Sequence, residues 1–516
     1  MPRKSATKSE QKPVQLTSTG LFNHLYEACN NLRGPIGQDS FKDYVTPLLY
    51  YKRISDVWDE EYARAMQESG NDEEYASFPE QHAFVIPDGC HWEDLRQRTE
   101  NVGSAILGSM REIERCNPTT LYGGLTGIFG ASKLWTNKDT MPDELLTRLI
   151  EHFSEQNLSI AACPADEMGT AYEYLIGKFA DDAGHTAQEF YTNRTVVELM
   201  ARILKPQSHD SIYDPTCGSG GMLIKCLTSL KDQGKEWRDV RVYGPELNAI
   251  TSSIARMNLM LHGMEDFTII NADTLTNPAF LKAGKLQQFD IVLANPPYSI
   301  KQWNREMFAN DPFGRNIWGT PPQGRADYAF FQHIVCSMKP DTGRCAILFP
   351  HGVLFRDEER EMREKLIKSD LIECVIGLGP NLFFNSPMEA CIVICRSKKT
   401  KHRQGKIFFI NAVNEVVRKN AESTLEPEHI QRIVNAYQND QDVDGFSKLA
   451  TLEEIAANHY SLAISLYAYA GSAGSESNRE KLSLEQTIQN WLASSEEATA
   501  SFSKLVTMLE DGGNHD

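Results

Sequence analysis

The chain has 516 residues, 41% hydrophobic and 24% charged, which excludes a disordered polypeptide and predicts two to four globular domains. Its 52 basic and 70 acidic residues leave a net charge of −18, which argues against a chain that grips a polyanion unaided, because nonspecific nucleic-acid affinity comes from basic contacts to phosphate. The 11 cysteines include no Cys-x-x-Cys pair, so neither a disulfide framework nor a zinc ribbon is expected, and the histidines show no metal-ligand spacing.

Residues 1–18 are polar and mildly basic, with no apolar core, and read as a flexible tail, not a secretory signal. Apolar runs such as Ala390 to Cys395 are too short to span a bilayer. A cytoplasmic protein without a membrane partner is the default. Over 19–157 the pattern is helical: Leu21, Leu25, Cys29 and Leu32 follow 3–4 spacing, as do Leu48, Tyr51, Ile54 and Trp58. Another helix is expected from Val102 to Ile113.

Over 158–415 short apolar strands alternate with amphipathic helices. The clearest strands are Ser211–Tyr213, Val240–Tyr243, Phe267–Ile270, Asp290–Ala294, Cys345–Phe349, Ile372–Ile376 and Ala390–Cys395. This alternation predicts an α/β domain with a largely parallel sheet, whose ligands bind at the carboxyl ends of the strands. Cys391 and Cys395 read as buried small hydrophobes. A basic patch of Arg396, Lys398, Lys399, Lys401, Arg403 and Lys406 reads as a solvated loop, with phosphate contact the alternative. A helical extension is expected over 416–470. Residues 471–516 combine a Gly/Ser-rich linker with a helix whose Leu484, Ile488, Trp491, Phe502, Leu505 and Leu509 fall on a 4-3 repeat, either a seam for a partner helix or a face packed on its own domain. From Ile407 onward there are 7 Lys/Arg and 17 Asp/Glu, so this acidic stretch is no reader of DNA.

Four strand ends carry chemistry. Asp214-Pro215-Thr216-Cys217-Gly218-Ser219-Gly220-Gly221 follows the first strand and precedes a helix, so backbone can approach a ligand at a helix N-terminus. It is neither a Walker loop nor a dinucleotide fingerprint. A small-residue loop after an acidic strand end suits an uncharged or zwitterionic ligand better than a pyrophosphate; the alternative is a plain tight turn. Glu246 ends the second strand, where a carboxylate can accept from a ribose diol. Asp273 follows the third, where it can accept from the exocyclic amine of an adenine. The buried strand Phe289–Ala294 then runs into Asn295-Pro296-Pro297-Tyr298. Two prolines stop the ladder and fix the backbone. The Pro296 carbonyl beside the Asn295 side chain offers two acceptors to one amino group, and Tyr298 offers a ring face.

Asp-Pro-x-x-Gly-Ser-Gly and Asn-Pro-Pro-Tyr in this order resemble the S-adenosylmethionine and catalytic motifs of N6-adenine DNA methyltransferases. Further segments resemble the modification subunit of type I restriction-modification systems: Gly169 to Leu175, Glu189 to Arg194, Ala326 to Phe330, Pro350 to Arg356, Lys52 to Asp56 and Asn458 to Leu462. The resemblance spans roughly 20–470 and implies a Rossmann-like methyltransferase domain behind an all-helical one. It implies S-adenosylmethionine contacts at Glu189, Phe190, Tyr191, Thr192, Asn193, Arg194, Asp214, Thr216, Gly218, Ser219, Gly220, Gly221, Glu246 and Asp273. It implies catalysis at Asn295, Pro296, Pro297 and Tyr298, with no metal. Double-stranded DNA, a specificity subunit, a second modification subunit and restriction subunits are the implied partners. Asn193 departs from the family's usual Pro, Pro245 from a non-proline, and Gly377-Leu378-Gly379-Pro380 from the common Leu-Pro form. Methylation of a protein or RNA amide, and a silent cofactor-binding scaffold, are the competing readings. The large helical domain argues against the first, and intact Asn295 and Tyr298 against the second.

Overall fold

The computed structural model describes residues 15–37, 41–117, 133–164, 167–168, 192–262, 264, 266–298, 300–382, 389–418 and 423–469. Most of the expected N-terminal tail, the segment Gly169 to Leu175, the residues Glu189 to Tyr191 and all of 471–516 with its 4-3 stripe lie outside them.

The helical layer is built on α1 (Ser18–Leu32), α2 (Lys42–Ser69), α3 (Val102–Cys116) and α4 (Asp143–Ser154). Thr17 caps α1 by accepting from the Gly20 N–H, and Leu21, Leu25, Cys29 and Leu32 form its buried stripe as their spacing predicts. The segment Lys52 to Asp56 acts structurally. Fully buried Arg53 donates to the carbonyls of Leu158, Ser159 (2.9 Å) and Cys163 (2.5 Å). Lys52 pairs with Asp56, whose carboxylate also accepts from the Leu158 N–H at 2.7 Å, and the Ser55 hydroxyl accepts from the Trp92 N–H at 2.9 Å. Arg53 and Asp56 thus staple the exit of the helical layer, 158–163, to α2, while Ser55 ties in the segment at Trp92.

The second layer is a nine-stranded sheet: β1 (Ser211–Tyr213), β2 (Arg241–Glu246), β3 (Phe267–Asn271), β6 (Ile291–Ala294), β7 (Arg344–Pro350), β8 (Ile372–Leu378), β9 (Ala390–Arg396), β10 (Lys406–Ala412) and β11 (Ser447–Thr451). Strands β4 (Leu281–Lys282) and β5 (Lys285–Leu286) form a separate hairpin. The order across the sheet is β11-β10-β8-β9-β7-β6-β1-β2-β3. Pairs from β3 to β7 are parallel, and β9 inserts antiparallel between β7 and β8.

Side-chain alternation splits the sheet between two cores. On one face Ala346 and Leu348 of β7, with Ile392 and Ile394 of β9, pack under α5 (Arg194–Leu204) and α6 (Gly221–Asp232). On the other, Cys345, Ile347, Cys391, Val393 and Cys395 pack under α8 (Asp327–Cys336). The remaining helix at the site is α7 (Ala249–Leu261). The architecture is doubly wound α/β.

Two expectations change. β10 and β11 escape the sequence pattern, and β11 pairs antiparallel with β10, so the stretch 416–470 is not simply helical: it completes the sheet. The reason is visible in β11, whose Lys448 and Leu449 are only partly covered at the sheet edge, leaving a weak apolar alternation. Second, half of the basic patch is structural, not a solvated loop. Arg396 bonds Glu373 at 2.6 Å, Lys399 bonds Asp370 at 2.6 Å, and buried Arg403 pairs with Glu373 and Asp440. No described helix is long and apolar enough to cross a membrane.

Candidate active site

Strand β1 lies between β2 and β6. The chain runs from β1 outward to β2 and β3, then returns for β6 and β7 on the other side. Loops leaving β1 and β6 therefore diverge, and this switch point is where open α/β sheets form a ligand crevice. Asp214 follows β1, Glu246 ends β2, Asp273 lies just past β3, and Asn295 follows β6. All four stand at carboxyl ends.

The loop after β1 is held from several directions. The Asp214 N–H donates to the Tyr243 carbonyl at 3.0 Å and the Cys217 N–H to that of Pro245 at 3.2 Å. Asp214 Oδ1 accepts from the Thr216 N–H at 2.9 Å, and Thr216 Oγ1 lies 3.4 Å from the Asn295 carbonyl. Glu246 bridges two backbones: Oε2 accepts from the Gly218 N–H (3.1 Å) and Oε1 from the Asn248 N–H (2.8 Å). Gly220, at φ +83°, starts α6 in a left-handed conformation that side chains resist. Gly221 is the first residue of that helix. Burial pushes the Asp214 carboxyl up to about 7, the Thr216 N–H opposes the shift, and the charge of Glu246 adds to it.

Asp273 Oδ1 accepts from the N–H groups of Leu275 (2.9 Å) and Thr276 (3.2 Å), shaping the turn after β3. Across the crevice, Pro296 is buried and Pro297 half-buried, and neither has an N–H to extend the β6 ladder. The Asn295 amide is gripped at both ends. Its Nδ2 donates to Thr192 Oγ1 at 2.9 Å, and its Oδ1 accepts from the Tyr298 hydroxyl at 2.6 Å. Burial pushes the Tyr298 hydroxyl well above its ordinary range, so it stays a donor. A carbonyl oxygen has two lone pairs, so one acceptor position remains on Asn295.

The residues from the stretch Glu189 to Arg194 divide. Thr192 orients the Asn295 amide. Asn193 caps α5: its Oδ1 accepts from the Thr195 N–H (3.0 Å) and hydroxyl (2.6 Å), and its Nδ2 donates to the Ser423 carbonyl at 2.9 Å. It is 2% exposed. The side chain expected to touch cofactor is thus engaged in capping, a task that the missing proline at this position leaves open. Arg194 is the first residue of α5 and half-buried.

Several supporting residues escaped the sequence reading. Asn258 of α7 donates to the Ser219 carbonyl at 3.0 Å, and Thr274 donates to that of Pro215 at 2.5 Å. A Cβ on Gly244 would lie 2.7 Å from Cys217 Cβ, so only glycine lets β2 pass under the loop. Buried Arg315 donates to the carbonyls of Thr274 and Leu275, each at 2.8 Å, while paired with Asp311. None stands in a local pattern, and Arg315 reaches the site only through the fold. Arg356 bonds Asp327 at 2.6 Å, joining two of the quoted segments.

The switch point, the small-residue loop and the acidic strand ends define a class of protein, an α/β fold with an acidic strand-end crevice beside an Asn-Pro-Pro-Tyr corner. Comparison with known proteins goes further. The N-6 DNA methylase model matches residues 164–476, more than half of the chain, and the HsdM N-terminal domain model matches 21–153. The HindI type I restriction enzyme methylase subunit of Haemophilus influenzae is 30% identical over 82% of this chain and 98% of its own. The MpnII methylase subunit of Mycoplasma pneumoniae is 28% identical over 90% and 91%. The crystal structure of the type I restriction-modification methyltransferase subunit of Streptococcus thermophilus superposes with a TM-score of 0.71 at 28% identity, covering 88% of this chain and all of that one. The chain belongs to the N-6 DNA methylase family, and within it to the methylase (modification) subunits of type I restriction enzymes.

Proposed function

We propose that this methylase transfers a methyl group from S-adenosylmethionine to the N6 of an adenine flipped out of duplex DNA, at a site chosen by a separate specificity subunit. In this reading it works beside a second copy of itself, in a complex that restriction subunits can join. The observation that carries the proposal is the Asn295 amide, held by Thr192 and Tyr298 at the switch point, with one acceptor position left open.

The donor set fits the cofactor. The loop Asp214 to Gly221 contains no Lys or Arg, and three carboxylates stand at the strand ends, an arrangement that attracts a cation and repels a phosphate. Asp214 and the stretch Thr216 to Gly221 would hold the methionine part, Glu246 the ribose diol, and Asp273 the adenine amine. Bound there, S-adenosylmethionine supplies a methyl group on a positively charged sulfur.

The chain's own part is positioning. Asn295 Oδ1 and the Pro296 carbonyl accept the two protons of the target amine, which favours a pyramidal nitrogen with its lone pair directed at the methyl. Holding the reacting atoms at roughly 3 Å supplies most of the rate. Asn295 is neutral, so the surplus proton leaves N6 to water. Flipping the base costs a few kcal/mol, partly offset by stacking on the Tyr298 ring.

Transfer of tritiated methyl to DNA, RNA and protein, by the chain alone and with its co-expressed specificity subunit, tests the proposal. Sequence-specific labelling of adenine in DNA is expected only with the partner. Labelling of RNA or protein instead, or specific labelling by the chain alone, would overturn it. The C-terminal 4-3 stripe is the proposed contact for the partner, and deletion after Ala470 is expected to abolish assembly while leaving cofactor binding intact.

A further inference from the structure

A second cavity lies at the other end of the same strands. Its volume is about 590 Å³, within the range of small-molecule sites. Ser211 and Arg241, the first residues of β1 and β2, line it together with half-buried Tyr243. Lys282 and Lys285 of the β4–β5 hairpin and Lys339 also line it. It therefore opens at the amino ends of the strands, away from the crevice that holds Asp214 and Asn295.

Four cations line this cavity in a chain of net charge −18. One is neutralised: Lys339 bonds Asp290 at 2.7 Å. The same carboxylate accepts from the Ser211 N–H at 2.9 Å and hydroxyl at 2.7 Å, which fixes it to β1. Arg241, Lys282 and Lys285 have no carboxylate within ion-pair distance among the described residues. The surface thus keeps three unpaired positive charges around one concavity, with the side chain of Gln287 on its wall as a further donor. Exposed lysines on a short hairpin have a plain alternative use, discouraging edge pairing. That use does not account for Arg241, which projects from β2 and converges on the same space.

We infer that this cavity binds phosphate groups. Three unpaired cations match a ligand bearing two or more negative charges, and the arginine fork beside two flexible ammonium groups suits tetrahedral phosphate oxygens. The source is either the backbone of a DNA duplex leaving the catalytic face or a free phosphorylated small molecule, and the two differ in what the test reads.

The test uses the full chain and the triple variant Arg241→Gln, Lys282→Gln, Lys285→Gln. All three positions are exposed, so folding is expected to survive, and unchanged S-adenosylmethionine affinity checks this. Inorganic pyrophosphate is titrated calorimetrically, and duplex affinity is followed as a function of salt. If the ligand is free, wild type binds pyrophosphate and the variant loses about tenfold or more, with the duplex salt dependence unchanged. If the ligand is duplex backbone, the slope of log affinity against log salt falls by about two to three in the variant. Pyrophosphate binding equal in both proteins, or absent in both, together with an unchanged salt slope, overturns the inference.

Discussion

Replacing Glu246 by Ala is the sharpest probe of the proposed cofactor site, because the carboxylate has one structural role and one proposed. It already bridges the Gly218 and Asn248 N–H groups, at 3.1 and 2.8 Å. In the proposed complex it also accepts from the ribose hydroxyls. A hydrogen bond to a charged group is worth about 1.5–3 kcal/mol, so losing the ribose contact is expected to weaken binding by about 10- to 150-fold. Loss of the loop brace alone also weakens binding, so affinity by itself does not separate the roles. Calorimetric titration of S-adenosylmethionine and of its 2′-deoxyribose analogue into both proteins does. A direct ribose contact makes wild type discriminate against the analogue by roughly tenfold, while the variant discriminates little. If both proteins discriminate equally, Glu246 is only a brace and the ribose assignment is wrong.

Asn295→Ala is expected to abolish methyl transfer yet keep cofactor affinity within a few fold, as measured by cofactor titration. Thr192→Val, which releases the amide without removing it, should lower kcat by about 3- to 10-fold, the worth of one hydrogen bond, with cofactor affinity held. Asp214 titrates near 7 in the unbound protein; a bound cation favours its ionised form, so cofactor affinity should rise as pH climbs through 7 and level off above it. Calorimetry in buffers of different ionisation enthalpy should show proton release near that pH, and Asp214→Asn should remove both effects. Burial lowers His24 to about 4 and His333 to about 3, so both stay neutral in the folded chain where the unfolded chain takes up protons. Stability should therefore be full above pH 6.5 and fall as pH drops toward 4 and 3. Thermal melts across pH test this, and His24→Gln should flatten part of the decline.

The sequence announces strands that are buried on both faces and loops whose residue types are chemically constrained. Ile291–Ala294 is apolar throughout because helix-lined cores cover both faces of the sheet there, and Asn-Pro-Pro-Tyr after it admits few readings. Strand β11 is the opposite case. Edge position relaxes the demand for apolar side chains, and its Ser447 and Lys448 carry no strand signature. Asn193 shows a different limit: a motif position identifies a place in the chain, but which atoms a side chain satisfies depends on Ser423, 230 positions away. Thr192 became legible as an orienting residue only once Asn295 stood beside it.

Helix α7 shows why the helical layer and the catalytic sheet are not independent modules. Ala255 and Leu259 pack into the core shared with β1 and β2. Ile254 and Met257, on another face of the same helix, belong to the core of the helical layer with Leu48, Leu49 and Trp135. Between these two faces, Asn258 holds the Ser219 carbonyl at 3.0 Å. The helix begins just after Glu246, whose carboxylate is tied to the Asn248 N–H. One rigid rod thus connects the ribose-proposed carboxylate, the glycine loop and the N-terminal core. Its position along its own axis sets the spacing between Glu246 and Ser219, and the apolar contacts of Ile254 and Met257 fix that position from outside the sheet. The helical layer acts on the site through packing, without contributing a residue to the crevice from α1 to α4.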